Sequence, residues 1–199
     1  LNLDSSNFYL LGHSWGGMYA TNYINKYPDR VAGAVLIEPG PLDGATYERI
    51  GGSDSEFFRS SGPLRGLKGS LYEGGIRVPA IVRWTGRIPA GLVSERVAGF
   101  EDWLPTLLDL AGAKDAIPSG IDGLSFAPAL LGQAQEPRPF LYREFPGYGG
   151  QQSVRVGDWK GVRQGLGQPG PPRLELYDLK ADLGETRDVS AEHPDVVAQ

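Results

Sequence analysis

The chain contains no cysteine and only two histidines among its 199 residues. Without cysteine no disulfide can form, and this absence fits either a cytoplasmic or an exported protein. Histidine is the most frequent general acid or base in enzymes, and here only His13 and His193 are available for that role. The sequence therefore offers few histidines for acid–base catalysis. It does not indicate the cellular compartment of the protein.

Long apolar runs and an excess of positive charge are also missing. No stretch of about 18 apolar residues occurs, so we expect no membrane-spanning helix. The formal net charge is −5, which argues against non-specific binding to nucleic acid. Hydrophobic residues make up 40% of the chain, and a chain of this length is expected to bury a core in one or two domains.

The two ends lack the usual features of a mature protein's termini. The chain opens on Leu1–Asp4 without an initiator methionine or a basic-then-apolar leader, and it stops at Gln199 inside a predicted helix. We therefore expect the chain to be a piece of a longer protein.

The first fifty residues contain a nucleophile-elbow pattern. Phe8–Leu11 is a short apolar run with strand character, and it leads directly into Gly12–Gly17, which has the spacing G-x-S-x-G. In such an elbow Ser14 is the nucleophile, and the backbone N–H of Trp15 is placed to stabilise an oxyanion. A helix follows, and Val31–Ile37 reads as the next buried parallel strand.

This stretch, with Gly12-His13-Ser14-Trp15-Gly16-Gly17-Met18, resembles the α/β-hydrolases, and in particular their proline iminopeptidase branch. The resemblance implies a serine hydrolase. Its catalytic triad needs an acid and then a histidine after the serine, and His193 is the only downstream histidine. His193 precedes Pro194 and is predicted to lie at a helix start, whereas His13 is expected to belong to the elbow turn. The base, the acid, the earlier strands and the lid are thus missing from this portion.

A lysine between glycines follows farther along the chain. Gly66 and Gly69 flank Lys68, and Gly74-Gly75 follow shortly after. Glycines permit positive φ angles and a close approach of a ligand to the main chain, while the ammonium group supplies three donors, so the segment is a candidate seat for a tetrahedral oxyanion. The alternative is an ordinary solvated lysine in a glycine-rich loop.

The residues around Lys68 resemble the type I sulfatases of the alkaline-phosphatase superfamily. The likeness covers Gly51–Pro79 and continues in family order through Ile88–Gly91, Asp102–Leu107, Ile121–Phe126, Val154–Lys160, Glu175–Leu179 and Glu185-Thr186. The resemblance implies that Lys68 binds the sulfate group of a sulfate ester, with either a carbohydrate or an aryl group as the organic part.

The resemblance also implies two groups that this chain is not expected to carry. Sulfatases use a formylglycine made from Cys or Ser in C/S-x-P-x-R, together with a divalent cation, calcium, held by carboxylates and an amide. Those ligands lie upstream of the matched region, so we expect no metal site and no bound cofactor in this chain alone. Ser61–Arg65 fits S-x-P-x-R literally, but in the family this tract precedes the sulfate-binding lysine, so Ser61 is not expected to be modified.

The remaining patterns predict short strands and helices. Pro79–Trp84 is a predicted strand, and Phe100–Ala111 is a predicted buried helix, near whose start Asp102 is expected to cap rather than to bind sulfate. The predicted apolar face of that helix comprises Trp103, Leu104, Leu107, Leu108 and Leu110.

The C-terminal part is predicted to form a small antiparallel sheet and a terminal helix. The strands are predicted at 141–143, 153–156, 159–163 and 174–177, with a tight turn at Gly157-Asp158, a loop over Gln164–Pro172 and a helix starting at Ala191.

Basic residues in these strands raise the possibility of further anionic subsites. Arg143, Arg155, Lys160 and Arg163 are expected to face water, because most charges on alternating strand positions do so. Glu73 is expected to accept hydrogen bonds from loop backbone beside Lys68.

Taken together, the patterns predict an incomplete α/β fold. It comprises a strand–elbow–helix–strand hydrolase piece over residues 1–50, the C-terminal part of a sulfatase catalytic domain over 51–135 and a sulfatase C-terminal subdomain over 136–199. Three functional hypotheses stay open: a sulfatase C-terminal fragment that is inactive alone, a serine hydrolase with Ser14 as nucleophile, and a non-functional chimera of two gene fragments.

Overall fold

A computed structural model describes residues 8–13, 26, 31–37 and 61–198 of the chain. The chain divides into two compact units. The first unit comprises residues 1–53 and 78–136, and the second unit comprises residues 54–77 and 137–199. The segment that carries Lys68 therefore belongs with the C-terminal sheet, although the two are far apart in sequence. The family boundaries near residues 50 and 135 stay predictions.

The secondary structure consists of short elements. The strands are β1 (Phe8–His13), β2 (Val31–Ile37), β3 (Ala80–Trp84), β4 (Leu141–Phe145), β5 (Gln151–Val156), β6 (Trp159–Gln164) and β7 (Arg173–Asp178). The helices are α1 (Glu73–Ile76), α2 (Trp103–Leu110), α3 (Ala127–Leu130) and α4 (Pro194–Val197), with 3₁₀ turns at Phe100–Asp102 and Lys114–Ala116. Within the described ranges, no helix is long and apolar enough to cross a membrane.

The first unit contains a three-stranded sheet in the order β1-β2-β3. The strands predicted at Phe8–Leu11 and Val31–Ile37 are present and run parallel, as expected. The strand predicted at Pro79–Trp84 is also present, and it pairs antiparallel with β2 from Gly33↔Trp84 to Ile37↔Ala80. No local pattern in the sequence predicted this last pairing.

Helix α2 buries only part of the predicted apolar face, since Trp103, Leu108 and Leu110 are partly buried. Leu104 and Leu107 are exposed, whereas Pro105 and Thr106 are buried, so the predicted apolar face is wrong at these positions. The physical reason is that the side chain of Thr106 forms hydrogen bonds with two backbone groups. The hydroxyl of Thr106 donates to the backbone oxygen of Asp102 at 2.6 Å and accepts from the backbone N–H of Phe126 at 3.0 Å.

Asp102 caps the turn that leads into α2. Its carboxylate accepts from the N–H of Gly99 at 2.8 Å and from the N–H of Leu124 at 2.7 Å, and the residue is buried. The expectation that Asp102 serves a helix start is thus confirmed. The same carboxylate fastens the 122–127 segment to this turn.

The second unit contains a four-stranded antiparallel sheet in the order β4-β5-β6-β7. All four strands were predicted, and Gly157-Asp158 forms the turn between β5 and β6, where Val156 pairs with Trp159. Helix α4 starts at Pro194, three residues after the predicted start at Ala191, and His193 lies directly before it at the helix start, as predicted. The predicted small antiparallel sheet is therefore confirmed.

One face of this sheet is polar and buried. It includes Gln151, Lys160 and Glu175, and it surrounds a small apolar cluster of Val162, Tyr177 and Leu179. Tyr72 packs against that cluster. Buried polar groups need partners, and the 61–77 segment supplies them. The chemistry of this face thus determines where the Lys68 segment lies.

Candidate functional site

Lys68 lies at the tip of a tight turn. The N–H of Ser70 donates to the carbonyl oxygen of Leu67 at 2.9 Å, and Gly69 has a φ of +91°, which explains why glycine follows the lysine. Lys68 is exposed, and among the described residues it makes no hydrogen bond or ion pair. The ammonium group is thus presented to solvent by a defined backbone.

The side chain of Gln151 holds this turn from below. Its amide nitrogen donates to the carbonyl oxygen of Gly69 at 3.0 Å, and its amide oxygen accepts from the N–H of Leu71 at 3.2 Å. Gln151 is buried at the start of β5. A side-chain amide has the same donor and acceptor as a peptide group, so Gln151 acts here like an additional strand residue.

Gly75 lets the 66–77 segment fold back on itself. An added Cβ at Gly75 would overlap the carbonyl oxygen of Ser70 and would lie 2.6 Å from that of Leu67. The N–H of Gly74 donates to the carbonyl oxygen of Arg65 at 2.7 Å and stabilises the same fold-back. Glycine is thus needed at position 69 because φ is positive there, and at position 75 because other backbone atoms lie too close for a side chain.

A buried ion cluster fastens α1 to the sheet. Lys160 is only 1% exposed, and its Nζ lies 2.8 Å from Oε1 of Glu73 and 2.8 Å from Oε1 of Glu185. The N–H of Glu73 donates to Oε2 of Glu185 at 2.5 Å, and Arg77 lies 3.2 Å from Oε2 of Glu73. The expectation that Lys160 faces water is wrong, because β6 turns this residue toward the polar face. Glu73 binds charged side chains instead of the expected loop backbone.

The pKa values of the two carboxylates of this cluster are shifted in opposite directions. Burial by itself would raise the pKa of Glu73, but the Lys160 ammonium and the hydrogen bonds from Lys160 and Arg77 bring that pKa below its ordinary value. Burial raises the pKa of Glu185, and the hydrogen bond and charge of Lys160 offset this only in part. Lys160 and Arg77 therefore favour the ionised form of Glu73, whereas burial favours the protonated form of Glu185.

Glu175 forms a second buried network that reaches the same segment. It accepts from the hydroxyls of Tyr72 at 2.5 Å and Tyr177 at 2.6 Å. Arg65 and Arg173 lie 3.6 Å and 3.2 Å from its carboxylate. Burial, followed by the hydrogen bond to Glu175, raises the pKa of Tyr72 to about 12, so Tyr72 stays a donor at neutral pH. The Lys68 segment is thus tied to the sheet on both sides of the lysine.

The described residues contain no group of three or more acidic or histidine side chains that could hold a metal ion. A divalent cation such as calcium takes several oxygen ligands, most of them carboxylates and carbonyls. The carboxylate part of such a donor set is therefore not found in these ranges.

Residues 67–198, more than half of the chain, match the C-terminal model of the N-sulphoglucosamine sulphohydrolase family. The chain belongs to this sulfatase family. Residues 2–60 match a model of the alpha/beta hydrolase fold. The boundary between the two matches falls between Ser61 and Gly66.

Curated sulfatases share this C-terminal sequence. Human arylsulfatase A is 43% identical over 148 residues, which cover 63% of this chain and 28% of that protein. The N-acetylgalactosamine-6-sulfatase of the dog, Canis lupus familiaris, is 45% identical over 83 residues, covering 42% of this chain and 16% of that protein. The chain thus spans less than a third of the length of these relatives.

A solved structure shows the same fold. It is described as being in complex with its substrate, D-glucosamine-2-N,6-O-disulfate, and it superposes with a TM-score of 0.59 at 23% identity. The superposition covers 90% of this chain and 35% of that one.

Three residues that the sequence analysis considered as functional candidates make contacts within the sulfatase fold. The hydroxyl of Ser61 donates to the carbonyl oxygen of Gly74 at 3.4 Å, so it supports the Lys68 segment. The ring of His193 lies 4.9 Å from that of Trp159, centroid to centroid. Arg155 donates to the carbonyl oxygen of Gly157 at 2.9 Å in its own hairpin.

Ser14 and Trp15 lie outside the described residues. Their roles as nucleophile and oxyanion donor stay predictions.

Proposed function

We propose that this chain is the sulfate-ester-binding C-terminal part of a sulfatase, in which Lys68 binds the sulfate group. The observation that carries this proposal is an exposed lysine without a partner among the described residues, on a turn held by two buried networks. An ammonium group neutralises the charge of a sulfate and donates hydrogen bonds to its oxygens. Fixing the backbone in advance lowers the ordering cost of binding.

The substrate class that fits best is a carbohydrate sulfate. The dog relative is named for N-acetylgalactosamine 6-sulfate chemistry, and a solved structure of the same fold is described with a glucosamine disulfate as its substrate. The alternative that the sequence leaves open is an aryl sulfate.

We further propose that the chain does not hydrolyse sulfate esters by itself. The formylglycine and the calcium ligands that the family resemblance implies belong to sequence upstream of the matched region, and residues 2–60 match a different fold family instead. A fusion of two gene fragments accounts for this combination.

Replacing Lys68 with alanine is expected to weaken binding of inorganic sulfate by about ten- to a hundredfold, because hydrogen bonds to a charged group contribute roughly 1.5–3 kcal/mol. Isothermal titration calorimetry on the full chain measures this loss. Lys180→Ala is the matched control, since it removes an exposed lysine of the second unit. Equal sulfate affinity in the Lys68→Ala variant and the unaltered chain would contradict the proposed role.

A second candidate function, ester hydrolysis by Ser14, is favoured by the match of residues 2–60 to the α/β-hydrolase model. We expect no turnover of a chromogenic acyl ester above the level of Ser14→Ala, because an elbow without its acid and base does not make a triad. The assay compares the unaltered chain with Ser14→Ala at equal concentration. Turnover that disappears in the variant would establish the serine-hydrolase function.

A further inference from the structure

An exposed aromatic ring lies directly beside the Lys68 turn. Tyr148 lies in the connection between β4 and β5 and is 79% exposed. A Cβ added at Gly69 would lie 2.5 Å from Cε2 of Tyr148 and 3.3 Å from its hydroxyl oxygen. One edge of the ring therefore contacts the residue after Lys68, while most of the ring is open to solvent.

The backbone that presents this ring is unusual for a tyrosine. Tyr148 has a φ of +53°, and Gly149 and Gly150 follow with φ of +87° and +82°. A bulky side chain at positive φ is rare, and such conformations are maintained only where the surroundings determine them. Gly149 and Gly150 accept hydrogen bonds from the N–H groups of Gly167 and Leu166 at 2.9 Å and 3.2 Å. The 165–172 loop thus braces the connection that carries Tyr148.

The ring and the lysine share one support. Gln151, three residues after Tyr148, binds the backbone of Gly69 and Leu71. The ring of Phe145 lies 6.1 Å from that of Tyr148, centroid to centroid, and limits its position from the strand side. Hydrogen bonds of the second unit therefore hold both the tyrosine loop and the Lys68 turn in place.

This arrangement suits a ligand with a charged end and a ring that has a face of C–H groups. Lys68 attracts the sulfate, and the ester oxygen joins the sulfate to a ring within reach of the neighbouring side chain. The face of a tyrosine ring is electron-rich and packs against the C–H groups of a sugar, while its hydroxyl stays solvated. We propose that Tyr148 is a substrate-contacting specificity residue that stacks on the sugar ring of the sulfate ester bound by Lys68. This proposal rests on the proposed function.

The test compares two ligands on the same full-length chain by calorimetry. Inorganic sulfate probes Lys68 alone, and N-acetylglucosamine 6-sulfate probes the lysine and the ring together. We expect Tyr148→Asn to weaken binding of the sugar sulfate about three- to tenfold, in keeping with the measured size of aromatic contacts, and to leave inorganic sulfate unchanged. Asparagine tolerates positive φ, so this variant removes the ring and keeps the loop.

Two further variants show whether the effect belongs to the ring at this position. Tyr148→Phe is expected to bind the sugar sulfate as the unaltered chain does, and Tyr142→Ala, which removes an exposed tyrosine of β4, is expected to change neither affinity. Phenyl sulfate in place of the sugar sulfate tests the aryl alternative. If Tyr148→Asn loses more affinity for phenyl sulfate than for the sugar sulfate, the assignment to a sugar is overturned.

The outcomes separate this subsite from the lysine assignment. Normal sulfate binding with no loss of sugar-sulfate affinity in Tyr148→Asn would overturn the subsite alone. Equal losses for both ligands would also overturn it, by showing that Tyr148 only supports the turn. Absence of sulfate binding to the unaltered chain would overturn the Lys68 assignment and the subsite with it.

Discussion

Replacing Lys160 with methionine is expected to lower the free energy of unfolding of the second unit by about 3–5 kcal/mol, the usual cost of removing one partner from a buried ion pair. Methionine keeps much of the side-chain volume, so the loss is mainly electrostatic. Glu73 and Glu185 would then share a buried site without their closest cation, and the half-exposed Arg77 would remain beside Glu73. Urea denaturation followed by tryptophan fluorescence measures the change.

Three comparisons identify the cause of this loss. Lys180→Met removes an exposed lysine and is expected to change stability by no more than about 0.5 kcal/mol. Adding Glu73→Gln and Glu185→Gln to Lys160→Met is expected to restore part of the loss, because no uncompensated charge remains. Lowering the pH from about 7.5 to about 4.5 is expected to shrink the difference, since carboxylates without their lysine take up protons near their ordinary pKa or above it. A pH-independent loss would indicate a packing effect instead.

Gly75→Ala is expected to disrupt the backbone conformation of the Lys68 turn. The new methyl group would overlap the carbonyl oxygen of Ser70, and backbone atoms cannot move aside as a flexible side chain can. We expect a stability loss of about 1–3 kcal/mol, typical of overpacking, together with at least about a tenfold loss of sulfate affinity. Thermal unfolding and calorimetry with sulfate measure the two effects.

Gly161→Ala is the matched control for this substitution. Gly161 lies in β6, next to Lys160, and its added Cβ would meet Val154 at 3.6 Å and Leu174 at 3.9 Å, which are ordinary contacts. We expect unchanged sulfate binding and equal or slightly higher stability, because alanine has fewer unfolded conformations than glycine. If both variants behave alike, the close approach at Gly75 does not control the turn.

The elements of the C-terminal sheet were predictable because their signals are local. Alternating residues in β5, β6 and β7, together with the Gly157-Asp158 turn, define where each strand lies and which strands are neighbours. The presence of helix α4 was also predictable from local sequence, although it begins at Pro194 and not at the predicted Ala191. None of these features depends on a partner far away in the sequence.

The partners of Lys160 could not be predicted in this way. Strand alternation shows that one side of β6 is buried, but a lysine at such a position normally indicates the exposed side. Its contact with Glu73 spans 87 residues of sequence. Its contact with Glu185 depends on a loop in which Glu185 itself has a φ of +52°, a value that is rare outside glycine. Only the folded chain brings these three charges together.

Helix α2 illustrates a second limit of sequence patterns. Its leucines define an apolar stripe, yet Thr106 is the residue that the structure buries, because its hydroxyl satisfies two backbone groups at once. A periodicity rule counts apolar residues and gives no weight to a hydroxyl that closes a hydrogen-bond chain.

The pairing of β2 with β3 bears on how the two matched parts of this chain are held together. Strand β2 lies in the part that matches the α/β-hydrolase model, and β3 lies in the part that matches the sulfatase model. A backbone ladder is built from peptide groups that every sequence carries, and five consecutive residue pairs join β2 to β3. An open strand edge therefore recognises no particular sequence, and any segment of suitable length and direction can complete it.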